Sequence, residues 1–277
     1  MNSSLALSSA TFIYALASVF YIGSFTFKKQ VLAKLGFMVL VIGFLDNTLG
    51  IILRWIESYQ MGYGHAPFAN MYESLVFFSW TAAILYIFVE LKYKENIIGV
   101  FASPLIFLAI AYASLSPDIS SKISPLIPAL KSNWLIAHVI TCFLGYAGFA
   151  VAFGFSIMYF VKPENPDAVS IFAKLPSWEL IDELTYQMVI FGFLFLTIGI
   201  ITGAVWANSA WGTYWSWDPK ETWSLITWFV YAIFMHLRMM KGWHGKHLAW
   251  VSIIGFLAVM FTYFGVNYVL SGLHSYA

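Results

Sequence analysis

The chain has 277 residues, 61% of them hydrophobic and only 10% charged, where a soluble domain averages about 25% charged residues. This composition excludes an ordinary soluble domain and predicts an all-α integral membrane protein, a polytopic helical bundle. The net charge of +1 argues against nucleic-acid binding, and the single cysteine, Cys142, excludes an intrachain disulfide or a CxxC relay.

A bilayer-crossing helix needs about 20 mostly apolar residues. Eight segments qualify: 9–27, 35–54, 72–90, 97–115, 134–161, 187–205, 219–240 and 248–270. They form one expected membrane domain over 1–277. The first resembles a signal h-region, but it lacks a basic flank before it and an A-x-A-like site after it, so it reads as a retained helix. Helix two carries Asp46 and Asn47 inside the span, with Arg54 and Glu57 at its outer end. A guanidinium suits a ligand carboxylate, but the nearer reading is a pair with Glu57, three residues on along the helix. Asp46 suggests nothing beyond a buried polar contact. Asn70-Met-Tyr-Glu73 has the cap-plus-Glu pattern of a helix start, and it opens helix three. Between helices five and six the polar stretch 162–186 includes SWELIDELTY, a candidate for a short helix on the membrane surface.

Residues 206–228 read WANSAWGTYWSWDPKETWSLITW and hold six of the twelve tryptophans. Indoles are flat and amphipathic, with one N–H donor each. Such a cluster suits a large, flat, apolar ligand with a polar edge, or a lipid interface. The candidate binding residues are Trp206, Trp211, Trp215, Trp217, Asp218 and Trp223, in a Trp-rich segment over 206–223. Asp218 can N-cap helix seven, Pro219 suits its first position and Glu221 can close a capping box, which makes Asp218 and Glu221 chiefly structural.

Lys and Arg divide ten to four between the two sets of connections. Lys28, Lys29, Lys34, Lys92, Lys94, Lys162, Lys174, Arg238, Lys241 and Lys246 lie on one side. Arg54, Lys122, Lys131 and Lys220 lie on the other. The positive-inside rule puts both termini and the tryptophan segment outside.

That orientation sorts the six histidines. His65 falls in the outer loop YGHAPF, and His274 in the outer tail. His138 sits about 7 Å below Asn133 in helix five, at 1.5 Å per residue. His236 lies near the cytoplasmic end of helix seven, while His244 and His247 belong to a basic inner loop. A neutral imidazole is the usual axial ligand of haem iron. A histidine inside a span can also be a core residue bonded to a neighbouring carbonyl.

WGTYWSWDPKETWSLITW resembles the WWD signature of haem-handling proteins in c-type cytochrome assembly, and its DPKETW form is similar to the CcsA (ResC) type of System II. GHAPFANMYESL, NWLIAHVITCFLGYAGF, FMHLR and LHSY resemble other segments of that family, so the resemblance runs from about residue 52 to 277. It implies delivery of haem b across the membrane to an external WWD site. There apocytochrome c presents CxxCH and its thiols add to the haem vinyls. It also implies that His138 and His274 are the external iron ligands and His236 the intramembrane one. The implied partners are a CcsB (ResB)-type membrane subunit, apocytochrome c and, indirectly, thiol-reducing proteins. Together with its partner the chain would form a membrane holocytochrome c synthase, in a bacterial inner membrane or a thylakoid. No catalytic residue is expected, because thioether formation needs positioned reactants more than an acid or base.

Two rivals stay open: a haem exporter or chaperone without ligation activity, and a respiratory subunit that keeps its haem. Covalent product separates the first. A respiratory subunit usually places its ligand histidines in pairs deep in the bilayer. Reporter fusions after Lys29, Lys94, Lys174 and Lys246 should all report the cytoplasm, and an external signal from 241–247 would overturn the orientation.

Overall fold

The computed structural model describes residues 2–165, 172 and 175–270. Among them, eight helices are long and apolar enough to cross a membrane, as the hydropathy predicts. They are α1 (Ser3–Phe27), α2 (Gln30–Gln60), α3 (Met71–Tyr93), α4 (Gly99–Leu115), α5 (Asn133–Val161), α6 (Trp178–Trp211), α7 (Pro219–Lys241) and α8 (Lys246–Met260). The last continues through a π-helical turn, Phe261–Gly265, into the short α9, Val266–Val269.

Three helices, α1, α2 and α6, run at least five residues past a predicted bound, α6 the furthest. The polar piece SWELIDELTY is no separate surface helix. It forms the first turns of α6, which Ser177 starts by accepting from the Leu180 amide at 3.2 Å. At its other end α6 runs through Trp206 to Trp211, so the non-helical connection is only 212–218. Hydropathy marks the part of a helix inside the hydrocarbon, about 30 Å deep, whereas 34 residues of helix span about 51 Å.

The helices cluster into two compact units, 1–127 and 128–277. In the first, α1 and α2 pack as an antiparallel pair. Gly36, Gly43 and Gly50, seven residues apart, face Tyr21, Tyr14 and Leu7, also seven apart. A Cβ on Gly43 would lie 3.0 Å from the Tyr14 ring, so the bare backbone is what admits these side chains. Lipid is as apolar as leucine, so close packing of this kind has to hold membrane helices together. Polar bonds join α3 to the pair: Asn47 donates to Ser79 Oγ at 3.0 Å and Trp80 Nε1 to Thr48 Oγ1 at 2.7 Å.

The second unit is built on α5 and α6. A Cβ on Gly148 would lie 3.0 Å from Gly192 Cα and 3.0 Å from the Met188 carbonyl oxygen. Here backbone meets backbone. The Tyr231 ring of α7 stacks on Phe149 of α5 at 3.5 Å and 3°. Gly148→Ala should lower stability in detergent by about 1–3 kcal/mol, because α6 itself has to move. Gly23→Ala, whose Cβ would meet only an ordinary contact at 3.6 Å, is the control and should leave the melting temperature unchanged.

Candidate functional site

The site begins where α6 ends. Gly212 closes that helix in the left-handed conformation at φ 80°, and α7 begins seven residues later. The Glu221 carboxylate holds the connection. Its Oε2 accepts from the Ser216 amide at 2.8 Å, from Ser216 Oγ at 3.2 Å and from the Asp218 amide at 3.2 Å. Asp218 in turn accepts from the Lys220 amide at 3.0 Å and completes the capping box. The capping roles expected of both residues are present. Trp217 lies between Ser216 and Asp218, whose amides both donate to Glu221, at φ 60°, a conformation a bulky residue adopts only when its surroundings force it. Its indole is 68% exposed.

Among the described residues the tryptophans make several separate contacts. Trp206 is buried, with Nε1 donating to the Ala129 carbonyl at 2.9 Å, and it meets Trp211 at 4.9 Å. Trp215 and Trp217 stand edge to face in the connection at 5.7 Å. Trp215 Nε1 is a buried donor with no hydrogen-bond partner among the described residues. Trp223, on α7, packs on Phe261 of the π-helical turn at 4.1 Å. Trp228 donates to Thr197 Oγ1 at 2.9 Å and belongs to the α6–α7 packing.

His138 lies within the first of these groups. Its ring stacks on Trp206 at 5.8 Å and 21°. Nδ1 is 2.8 Å from the Gly199 carbonyl oxygen. A carbonyl only accepts, so Nδ1 carries the proton and the ring's lone pair sits on Nε2. Metal-binding histidines are commonly fixed in this way, with one nitrogen donating to a carbonyl and the other bearing the lone pair. Gly203 makes the space: a Cβ there would lie 2.6 Å from Nδ1 and 2.7 Å from Cε1. Cys142, one turn along α5, is buried with Sγ 3.6 Å from Nδ1. Sequence reasoning missed Gly199, Gly203 and Ala129. The spacing of Gly192, Gly199 and Gly203 along one helix was the available signal.

The other candidates are placed differently. His274 lies outside the described residues. Lys220 Nζ donates to Asn267 Oδ1 at 2.9 Å, tying the start of α7 to α9. His236 is not a core residue bonded to a carbonyl. It is exposed, in a stripe with Ile226, Phe229, Ile233 and Met240, and no described residue hydrogen-bonds it. Near it, Arg238 pairs with Asp182, which also accepts from the Gly245 amide at 2.7 Å and lies 3.1 Å from His244. The exposed His244 therefore has an acidic partner as well as solvent.

Arg54 belongs to the first unit. The local pair with Glu57 does not form, because Glu57 accepts from the Ser3 amide at 2.7 Å and from the Ser3 hydroxyl. Arg54 is buried, with Nε 2.7 Å from Glu73 Oε1 and its guanidinium 5.0 Å from the centre of the Tyr72 ring. Asn70 caps α3 and so delivers Glu73, whose other oxygen accepts from the Ala69 amide at 2.7 Å. Arg54 Nη2 is buried with no partner among the described residues. His65 is buried too, its ring nitrogens each 2.9 Å from a carbonyl, those of Ala66 and Ser124.

A family model described as cytochrome C assembly protein matches residues 68–274. The cytochrome c biogenesis protein CcsA of Guillardia theta is 38% identical, over 96% of this chain and 94% of its own. CcsA of Synechococcus sp. (strain CC9902) is 40% identical over 83% of this chain and 82% of its own. CcsA of Chlamydomonas reinhardtii is 42% identical, over 83% of this chain and 64% of its own. Among solved structures, the fold is similar to cytochrome c heme lyase CcmF, with TM-score 0.70 and 17% identity. That match covers 95% of this chain and 47% of the CcmF chain, so this chain spans about half of it.

Gly203→Ala should push the His138 ring off the Gly199 carbonyl. The hydrogen-bonded Nδ1–H resonance in ¹H–¹⁵N spectra of the labelled protein should be lost. An unchanged resonance would show that the space left by Gly203 does not set the ring's position.

Proposed function

The chain belongs to the cytochrome c assembly protein family, and from that premise we propose that it hands haem b across the membrane for covalent attachment to apocytochrome c. It does so as one subunit of a System II synthase, with a CcsB (ResB)-type membrane subunit as its partner. The observation that carries this reading is the construction around His138. An imidazole fixed by the Gly199 carbonyl, cradled at Gly203 and stacked on Trp206 is arranged as a metal ligand is.

In this reading His138 and His274 hold the iron at the external site. Two imidazoles leave no coordination position for oxygen. Trp215 and Trp217, on the connection pinned by Glu221, cover the macrocycle and keep water out. Each CxxCH thiol adds across a haem vinyl group. A bond forms between sulfur and one vinyl carbon, and the thiol's hydrogen goes to the other. Holding thiol and vinyl together supplies much of the acceleration. Arg54, in the first unit, keeps Nη2 unpartnered among the described residues and suits a carboxylate.

His236 serves an earlier site. It lies about 27 Å along α7 from Asp218, too far for one haem to touch both ends. Its exposure on the outer face of α7 supports a site completed by the second subunit. Orientation follows the lysine and arginine distribution, with the tryptophan connection and both termini external.

The test is co-expression with the ResB-type subunit, purification, and measurement of haem content and of covalent cytochrome c. His138→Gly and His274→Gly should yield no covalent product while retaining some haem, and imidazole should partly restore the product. His236→Gly should lower haem at both sites. Normal assembly in His138→Gly without imidazole would overturn the ligand assignment. A fully loaded outer site in His236→Gly would overturn transfer in series. Haem loading with no covalent product even in the unmutated complex would favour an exporter.

A further inference from the structure

Asp46 is a charged group in the middle of α2 that the proposed function leaves without a role. It lies 16 residues after Gln30 and 14 before Gln60, close to the midpoint of the helix. Its hydrogen bond comes from Ser9 Oγ of α1, at 2.5 Å. No lysine, arginine or histidine pairs with it among the described residues. Most charged groups inside a membrane turn toward the bundle interior, a cavity or a partner. Asp46 is only half-buried and Ser9 is exposed, so this polar pair lies at the surface of its unit.

Its surroundings form a groove. On α1, Leu5, Phe12 and Leu16 are 62%, 69% and 47% exposed, and Ser9 falls between them at the same 4–3–4 spacing. On α2, Ile42, Leu45 and Leu49 are 53%, 59% and 41% exposed, and Asp46 lies among them. Two apolar ridges thus border a floor made of a hydroxyl and a carboxylate. Lipid tails satisfy the ridges and leave the floor unsatisfied. A helix lying between the ridges satisfies both if it brings a donor, and the small Ser9 lets its backbone come close.

We propose that this groove receives one transmembrane helix of another membrane polypeptide, and that this helix presents an amide, imidazole or basic side chain to Asp46 midway through the bilayer. Charge complementarity selects that occupant over a second copy of this chain. The exposed stripes of α1 and α2 carry no basic, imidazole or amide side chain at this depth, so two copies meeting here would set carboxylate against carboxylate. The proposal rests on the functional reading above only in taking the working complex to contain a second membrane subunit.

The test is a photo-crosslinking side chain at Leu45, in membranes holding this chain and the co-expressed second subunit. Leu108, 59% exposed on α4, is the control position. The expected result is a covalent adduct between Leu45 and the second subunit, mapped to a span with a donor near mid-depth, and none from Leu108. Asp46→Leu should cut the adduct roughly tenfold, while Asp46→Asn, which keeps an acceptor, should retain most of it. The same adduct is expected in a His138→Gly background, where assembly fails for a separate reason. Adducts with lipid alone, with a second copy, or with residues 128–277 of the same chain would overturn the proposal. So would an adduct unchanged by Asp46→Leu when the melting temperature is also unchanged.

Discussion

The close approach of α5 to α6 is what the candidate site depends on. In water, two helices are driven together by the area they hide. In lipid that drive is absent, and contact between backbones has to replace it. Gly145 and Gly148 on one helix, with Gly192, Gly199 and Gly203 on the other, remove every side chain that would hold the axes apart. One consequence is structural, because the α5 side chains reach the α6 backbone. The other is chemical. A helical carbonyl such as that of Gly199 is already engaged along its own helix, yet it has a second lone pair. Only a neighbouring helix at this distance can bring an imidazole to it. The tautomer of His138 thus follows from glycine spacing.

The connection after α6 follows a similar logic with polar groups. A seven-residue link carrying two tryptophans has little intrinsic reason to hold one shape. Glu221 supplies one by gathering three donors at a single oxygen, and the rigid first turn of α7 carries that oxygen. Trp217 is kept at positive φ as a result. Local strain tends to persist where the surroundings over-determine it, as they do between two amides, of Ser216 and Asp218, held by one carboxylate oxygen. The acidic residues of the motif shape the loop, and the indoles are what the loop presents.

How much of this the sequence discloses depends on the range of the interaction. The spans, the Asp218–Pro219–Glu221 start of α7 and the Asn70 cap are set by residues within a few positions of one another, and they read directly. Partners brought by tertiary packing do not. Arg54 has Glu57 on its own helix, yet it binds Glu73, because the cap of α3 aims that carboxylate at it while Ser3 occupies Glu57. Trp206 reads as part of a loop platform and is instead the buried end of α6, its indole N–H spent on Ala129. Hydropathy could not place the end of α6 either. It measures affinity for hydrocarbon, and the helix continues into the polar layer on both sides.

The two described histidines of the proposed pathway differ in a way that bears on its direction. His138 is held by a carbonyl, an indole face and a glycine cradle, so little rotational freedom remains for a ligand to remove. His236 stands exposed on α7 with no hydrogen bond from any described residue, and a ligand would have to order it. Orienting partners raise both the basicity and the pre-organisation of an imidazole, and such outer-shell groups commonly change metal affinity by about 10–100-fold. If haem passes from the His236 level to the His138 level, this difference in construction favours the His138 level. A second ligand from another subunit at the inner level would shift that balance. The affinity of the inner site would then be set by an assembly step, which makes it the place where transport can be regulated.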